Sequence, residues 1–438
     1  MTRMKESGID WIGQIPEEWQ ISKIKFTTQL NGRIGWQGLT SAEYKEEGPY
    51  LITGTDFQNG TINFETAVHI DERRWSEASQ IQVENGDLLI TKDGTVGKVA
   101  IISGLDGKAS LNSGVLRIQT IEEIDKRFLY YVLLSDEFWM WFNFTNSGAS
   151  TILHLYQNVF DEFTFTFPPK NEQQKIANFL DKKTAQLDKA KRLLEKQIQK
   201  LKDYRASLIY ETVTKGLDKT VPMKDSGIDW IGQVPQGWDI SKIKFTTQLN
   251  GRIGWQGLTS AEYKEEGPYL ITGTDFHNGT INFETAVHID EKRWSEASQI
   301  QVENGDLLIT KDGTVGKVAI ISGLDDKASL NSGVLRIQTI DEIDRRFLYY
   351  VLLSDEFWMW FNYTNSGAST ILHLYQNVFD EFTFTFPQKN EQTKISDLLD
   401  KKTYQIDQLI QIKNQQIENI NKQRQTLIYD YVTGKRRV

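Results

Sequence analysis

Residues suited to covalent chemistry are few in this chain, and they do not assemble into a known device. There is no cysteine, which excludes disulfides, thiolate metal sites and cysteine nucleophiles. Of the five histidines, His69 and His154 recur as His288 and His373, and His277 is extra. None stands in an H-E-x-x-H or carboxylate–histidine pattern that would hold zinc. The stretch DGTVGK at Asp93–Lys98 resembles a phosphate loop but lacks the spacer of G-x-x-x-x-G-K. TGTDFQNGTINFE at Thr53–Glu65 suggests a calcium loop, but its glycine spacing is wrong for one. No glycine-rich nucleotide fingerprint follows a strand. No N-P-P-[FY] or D-P-P-Y motif, which an amino-methyltransferase needs for its flipped base, occurs. The chemistry on offer is therefore binding rather than catalysis.

The elements that would position a binding surface are duplicated. NGRIGWQGLTSAEYKEEGPYLITGTDF begins at Asn31 and again, unchanged, at Asn250. From Met4 against Met223 the register runs without a gap to Lys219 and Val438. The period is domain-sized, too long for a solenoid. Between Ile21–Pro168 and Ile240–Pro387 only six positions differ: Gln58/His277, Arg73/Lys292, Gly107/Asp326, Glu122/Asp341, Lys126/Arg345 and Phe144/Tyr363. The following segments, Pro169–Lys219 and Gln388–Val438, share 21 of 51 positions. Uneven drift points to a first part that was copied as a cassette or is held to one shared task.

Charge divides along the same line. The net charge of −9 opposes a nucleic-acid partner. It hides net −7 on Ile21–Pro168 and −8 on its repeat, against +6 on Pro169–Lys219 and +4 on Gln388–Val438. No run of about 18 apolar residues could span a membrane. MTRMKESGIDW has no signal-peptide core, which predicts a cytoplasmic protein.

The drifted segments read as helices. No Gly or Pro interrupts Asn171–Thr214, and Leu180, Leu187, Leu194, Leu201 and Leu208 recur every seven residues as a coiled-coil seam. At ~1.5 Å per residue the rod is about 65 Å long. The second copy offers Leu399, Ile406, Ile420 and Leu427, broken by Lys413, with Ile395, Leu409 and Ile417 added. Each seam needs a partner, and the nearest is the other copy; the alternative is two helices packed separately on their own globular domains. The near-invariant segments read as mixed α and β. NGDLLITKDGTVGKVAII at Asn85–Ile102 alternates β-rich runs with glycine turns, and DFQNGTINF at Asp56–Phe64 signals a hairpin. KRFLYYVLLSDEFWMWFNF at Lys126–Phe144 reads as one aromatic core helix, with Trp139 and Trp141 as packing residues.

This order of parts resembles the specificity subunit of Type I restriction–modification systems. The resemblance rests on IPEEWQISKIKF, YLITGTDFQNG, VENGDLLITKDGTVGKVAII and SGASTILHLYQNVFDEFTFTFPPKNEQQKIANFLD, and on their repetition. FPPKNEQQKIANFLDKKTAQLD at Phe167–Asp188, echoed as FPQKNEQTKISDLLDKKTYQID at Phe386–Asp407, is similar to that family's P-L-x-E-Q-x-x-I-x-x-x-L junction. Lys170 and Lys389 replace its usual Leu.

The resemblance covers essentially the whole chain. It implies an α+β (mixed α/β) fold of two target-recognition domains joined by two long helices in an antiparallel coiled coil, pseudo-two-fold symmetric. The expected segments are 1–168, first recognition domain; 169–219, central helical spacer; 220–387, second recognition domain; and 388–438, C-terminal helical spacer. It further implies a non-catalytic subunit that reads bipartite double-stranded DNA. That subunit docks two modification (adenine-methyltransferase) subunits and the restriction subunits. S-adenosylmethionine, ATP and Mg²⁺ belong to those partners, and no cofactor belongs to this chain. Two alternatives stay open: the recognition subunit of a restriction system with a fused cleavage and methylation chain, and a coiled-coil scaffold presenting two protein-binding domains.

Base edges in the major groove are read by Arg, Gln and Asn, and phosphates are gripped by Lys, Ser, Thr and backbone N–H groups. The polar, glycine-containing loops then supply the expected DNA contacts. They are Arg33, Trp36, Gln37, Thr91, Lys92, Thr95, Lys98, Ser147, Ser150, Thr151, His154, Tyr156 and Gln157. Their counterparts are Arg252, Trp255, Gln256, Thr310, Lys311, Thr314, Lys317, Ser366, Ser369, Thr370, His373, Tyr375 and Gln376. Near-identical domains on an antiparallel coil predict an interrupted palindrome, with Gln58/His277 the one plausible difference at the bases.

Overall fold

The computed structural model describes residues 3–33, 39–146, 153–252, 258–365 and 372–438. They fall into two compact units, 1–194 with 414–438, and 195–413. These units do not coincide with the linear segments of the sequence. Each joins one globular domain to the first half of its own long helix and to the last half of the other long helix.

In the first unit an antiparallel sheet runs in the order Val99–Ile101, Leu88–Thr91, Val115–Thr120, Thr28–Gly32. A second sheet runs Val68–His69, Lys45–Ile52, Ala109–Leu111, Gln82–Val83 and contains one parallel pair, Tyr50–Ile52 against Ala109–Leu111. Every residue of Leu88–Thr91 is buried. Side chains alternate across a strand, so Leu88 and Ile90 enter the core under the aromatic helices while Leu89 enters the core under the second sheet. One strand thus joins both layers and fixes the loop that follows it.

The Asn-Gly hairpin forms between Phe57–Gln58 and Thr61–Ile62. Asn59 at φ +50° and Gly60 at φ +79° give the doubly left-handed turn that matches strand twist. A Cβ on Gly60 would lie 2.1 Å from the Tyr130 hydroxyl oxygen, so the turn is seated on that ring.

The aromatic helix expected over Lys126–Phe144 is two helices, Lys126–Leu134 and Asp136–Thr145. Ser135 between them is extended (φ −78°, ψ 162°), and its hydroxyl donates to the Val132 carbonyl at 2.7 Å. The break lets Phe138 and Trp141 turn onto Phe160 and Phe163, whose rings they meet edge-on or tilted at 4.9–6.3 Å, while Phe142 stacks on Phe138 at 6.1 Å. Trp141 is buried and Trp139 half-buried, as packing residues.

The long helices are Lys170–Lys215 and Lys389–Val432. In the first unit the Phe179 and Tyr431 rings lie 4.5 Å apart, and Arg424 reaches Asp188 at 3.6 Å. In the second, Lys413 donates to Gln197 at 2.6 Å and Arg205 reaches Asp407 at 3.7 Å. Residue numbers rise on one helix as they fall on the other, so the pairing within each unit is antiparallel. The expected Leu409 is off the seam, 47% exposed, and Ile410 points inward instead.

Both helix ends are anchored in a domain core. Ile176, Leu180, Ile428 and Val432 are buried in the first unit, and Ile209, Val213, Ile395 and Leu399 in the second. At about 1.5–3 kcal/mol per fully buried aliphatic side chain, four such residues bind each helix pair firmly to its domain. Among the described residues no helix is long and apolar enough to cross a membrane.

Candidate nucleic-acid interface

Four chain segments converge at one edge of the first unit. The loop Lys92–Lys98 leaves the buried strand Leu88–Thr91. The Lys92 N–H donates to the Gly114 carbonyl, and the Lys92 carbonyl accepts the Leu155 N–H, both at 2.8 Å. The His154 Nδ1 meets Asp93 Oδ1 at 2.6 Å. Lys98 Nζ donates to the Gly54 carbonyl at 3.0 Å. Behind the loop, Gly97 at φ +81° abuts Trp139, where a Cβ would come within 2.7 Å of the indole. That close approach requires glycine and sets the loop on the rigid aromatic core.

The second unit repeats these bonds. His373 meets Asp312 at 2.6 Å, Leu374 donates to Lys311 at 2.9 Å, and Lys317 donates to Gly273 at 3.0 Å.

The structure thus brings together Lys92, Thr95, Lys98, His154, Tyr156 and Gln157, and likewise Lys311, Thr314, Lys317, His373, Tyr375 and Gln376. Thr95 and Tyr156 are exposed, the latter at 61%. Gln157 donates to the Leu30 carbonyl at 3.2 Å, and Gln376 to the Leu249 carbonyl at 3.3 Å, and both residues are exposed. Trp36, Gln37, Ser147, Ser150, Thr151, Trp255, Gln256, Ser366, Ser369 and Thr370 lie outside the described residues.

Two pairs of expected contacts are instead internal. Arg33 is 5% exposed, and its guanidinium donates to the Leu111 carbonyl at 2.8 Å and to Ser110 Oγ at 3.0 Å. Arg252 does the same with Leu330 and Ser329. Burial lowers both pKa values to about 10, so both stay charged at neutral pH. A buried cation holding two acceptors tethers strands and is not free to read guanine. Thr91 and Thr310 are wholly buried. The Thr91 hydroxyl donates to the Thr95 carbonyl and accepts the Lys98 N–H, so it shapes the loop from inside. Thr310 does the same with Thr314 and Lys317.

Sequence reasoning passed over three contributors. Asp93 orients His154. The turn Thr53–Asp56 closes on itself through Thr53 Oγ1 and Asp56 Oδ2 at 2.8 Å and presents Thr55. The turn Asn112–Gly114, closed by Asn112 Oδ1 on the Gly114 N–H at 3.1 Å, presents Ser113. Their signals were present as the TGTD and NSG turn patterns.

Each edge therefore offers lysines, hydroxyls and amides on a fixed scaffold. Among the described residues no cluster of His, Asp and Glu could hold a metal ion. Two matched domains, each with such an edge and each clamped to a helix pair, define a paired recognition module.

Known proteins place that module. The model of the Type I restriction modification DNA specificity domain matches residues 16–202 and 250–421, and the chain belongs to that family. It is a specificity subunit and not an enzyme. It is 24% identical over 434 residues to the MjaVIII specificity subunit of Methanocaldococcus jannaschii, across 97% of this chain and 94% of that one. It is 24% identical to the EcoBI specificity subunit of Escherichia coli, across 72% and 65% of the two chains. In fold it is similar to a chain from a solved type I restriction–modification complex, with a TM-score of 0.71 at 14% identity, covering 96% and 99%. The HsdS subunit of Thermoanaerobacter tengcongensis matches at a TM-score of 0.50 and 15% identity, over 96% and 98%.

Proposed function

We propose that this chain reads one DNA half-site twice, in opposite directions, as an interrupted palindrome. One observation carries the reading. Two interface edges repeat bond for bond, and each is attached in the same way to a helix pair whose members run in opposite directions. Identical readers joined to opposed helices take the same half-site on opposite strands. The stretch between the half-sites is spanned by the helices and left unread.

The loop residues Lys92, Thr95, Lys98, His154, Tyr156 and Gln157, with their six counterparts, are the proposed DNA contacts. Lysines and hydroxyls suit phosphates, and the amides suit adenine edges. The partners are two modification subunits, which hold S-adenosylmethionine and methylate adenine. Restriction subunits using ATP and Mg²⁺ complete the assembly. The chain itself holds no cofactor. Deleting its gene and mapping adenine methylation tests this reading: a single two-part motif should lose its methylation. An unchanged methylation pattern would contradict it.

A further inference from the structure

Within the second unit a cleft of about 640 Å³ opens where the Asn-Gly hairpin meets the helix pair. Lys202, Arg205, Lys317 and His277 line it, with Asp407 as the acidic member and Tyr349 at its wall. His277 sits at the hairpin tip, exposed. The tip is held in place because Gly279 abuts Tyr349 as Gly60 abuts Tyr130, with a would-be Cβ 2.1 Å from the hydroxyl oxygen. Arg205 reaches Asp407 at 3.7 Å and is otherwise turned to the cleft wall. Lys317 belongs at once to this cleft and to the loop edge described above.

The matching positions of the first unit carry Gln58, Lys98, Asn421, Arg424, Asp188 and Lys191. Asn421 stands where the second unit has Lys202, but Lys191 stands where it has Ile410. The lysine missing from one helix is regained on the other. The charge difference between the two junctions therefore reduces to Gln58 against His277.

Resting on the DNA-reading function proposed above, we infer that this cleft grips a backbone phosphate of the bound duplex, and that His277 makes the second reader grip more tightly than the first when protonated. The geometry favours DNA because Lys317 belongs both to the cleft and to the edge proposed above to contact DNA. Lys317, Lys202 and His277 line the same cleft, so a phosphate held there would meet three nitrogen donors. Histidine is the side chain that ordinarily changes charge between pH 5 and 8. The groups facing it are the cations Lys202, Lys317 and Arg205, the carboxylate Asp407 and the phenol Tyr349.

The test uses the full chain, at low salt, with a duplex carrying its methylation motif and a scrambled duplex as control. His277→Gln copies the residue that the first unit already carries in the same hairpin, so the fold accommodates it. At about pH 6 it should bind the motif about three- to tenfold more weakly than the parent, with a salt slope smaller by about 1; at about pH 8 the two should agree. Gln58→His should gain what His277→Gln loses, and the double exchange should restore the parent's total affinity. Equal pH dependence of parent and His277→Gln overturns the proposal while leaving the DNA-reading function intact. If His277→Gln leaves DNA affinity alone and weakens assembly with the modification subunit, the cleft holds an acidic protein surface and the proposal also fails. If the parent does not prefer the motif to the scrambled duplex, the DNA-reading function itself falls, and this proposal with it.

Discussion

Replacing Glu137 and Glu356 by glutamine should flatten the stability of this protein against pH. Glu137 opens the helix Asp136–Thr145 and is wholly buried, with neither carboxylate oxygen fully hydrogen-bonded. Burial pushes its carboxyl up to about 8, offset only in part by the Thr166 backbone. Glu356 is in the same state beside Thr385. A carboxyl that is harder to ionise when folded stabilises the protein least at high pH. Below about pH 4.5 both states are protonated and no penalty applies. As pH rises the unfolded state ionises first, and stability falls until the folded carboxyl also ionises near pH 8. At ~1.4 kcal/mol per unit, the span from 4.5 to about 8 is worth about 5 kcal/mol for each glutamate. Urea unfolding followed by tryptophan fluorescence across this range measures it. The parent should lose stability steadily, and Glu137→Gln with Glu356→Gln should remove most of that slope. A variant whose profile runs parallel to the parent's would refute the account of these buried carboxyls.

Further outcomes follow from the same geometry. Alanine at Lys92, Lys98, Lys311 and Lys317 should weaken DNA binding and lower the salt slope by about 0.9 for each phosphate no longer neutralised, with unfolding temperature lowered only by the loss of the Lys98 and Lys317 bonds to the Gly54 and Gly273 carbonyls; binding measured over a salt series checks this. Deleting Lys435–Val438 removes the Lys435 bonds to the Ile12 and Gln14 carbonyls at 2.6 and 2.8 Å and the Arg437 ion pairs with Glu18 and Glu172. The second unit has Gly216 and Asp218 at those positions. Hydrogen exchange should therefore show the first unit alone loosened, by about 1–3 kcal/mol. The acidic recognition domains oppose phosphate binding, so the isolated chain should bind DNA weakly at physiological salt and much more tightly once the modification subunits join. Tight binding by the chain alone in a filter or fluorescence assay would contradict that.

The duplication, the hairpin and both helices were legible because each leaves a local mark. The Asn-Gly pair at Asn59 and Gly60 has few other uses between β-rich runs, and the leucine heptads from Leu180 to Leu208 have one economical partner. The break at Ser135 was not legible, because apolar residues continue at helical spacing across it. The hydroxyl bond to Val132 and the demands of the aromatic cluster decided it. Arg33 read as a surface residue because it stands in a glycine-rich stretch. Its burial is set by Ser110 and Leu111, some eighty residues away, which no local pattern announces. A separation of 61 residues likewise hid Asp93 as the partner of His154. Leu409 and Ile410 are adjacent and equally apolar, and only the angle of the helix on its partner separates them.

The central claim is that two near-identical readers impose one half-site in two orientations. Mapping methylated adenines across the host genome, with and without this gene, tests it most directly. The expected motif is a half-site, an unread spacer and the same half-site inverted, with methylation on both strands. Two unrelated half-sites on either side of the spacer would contradict it.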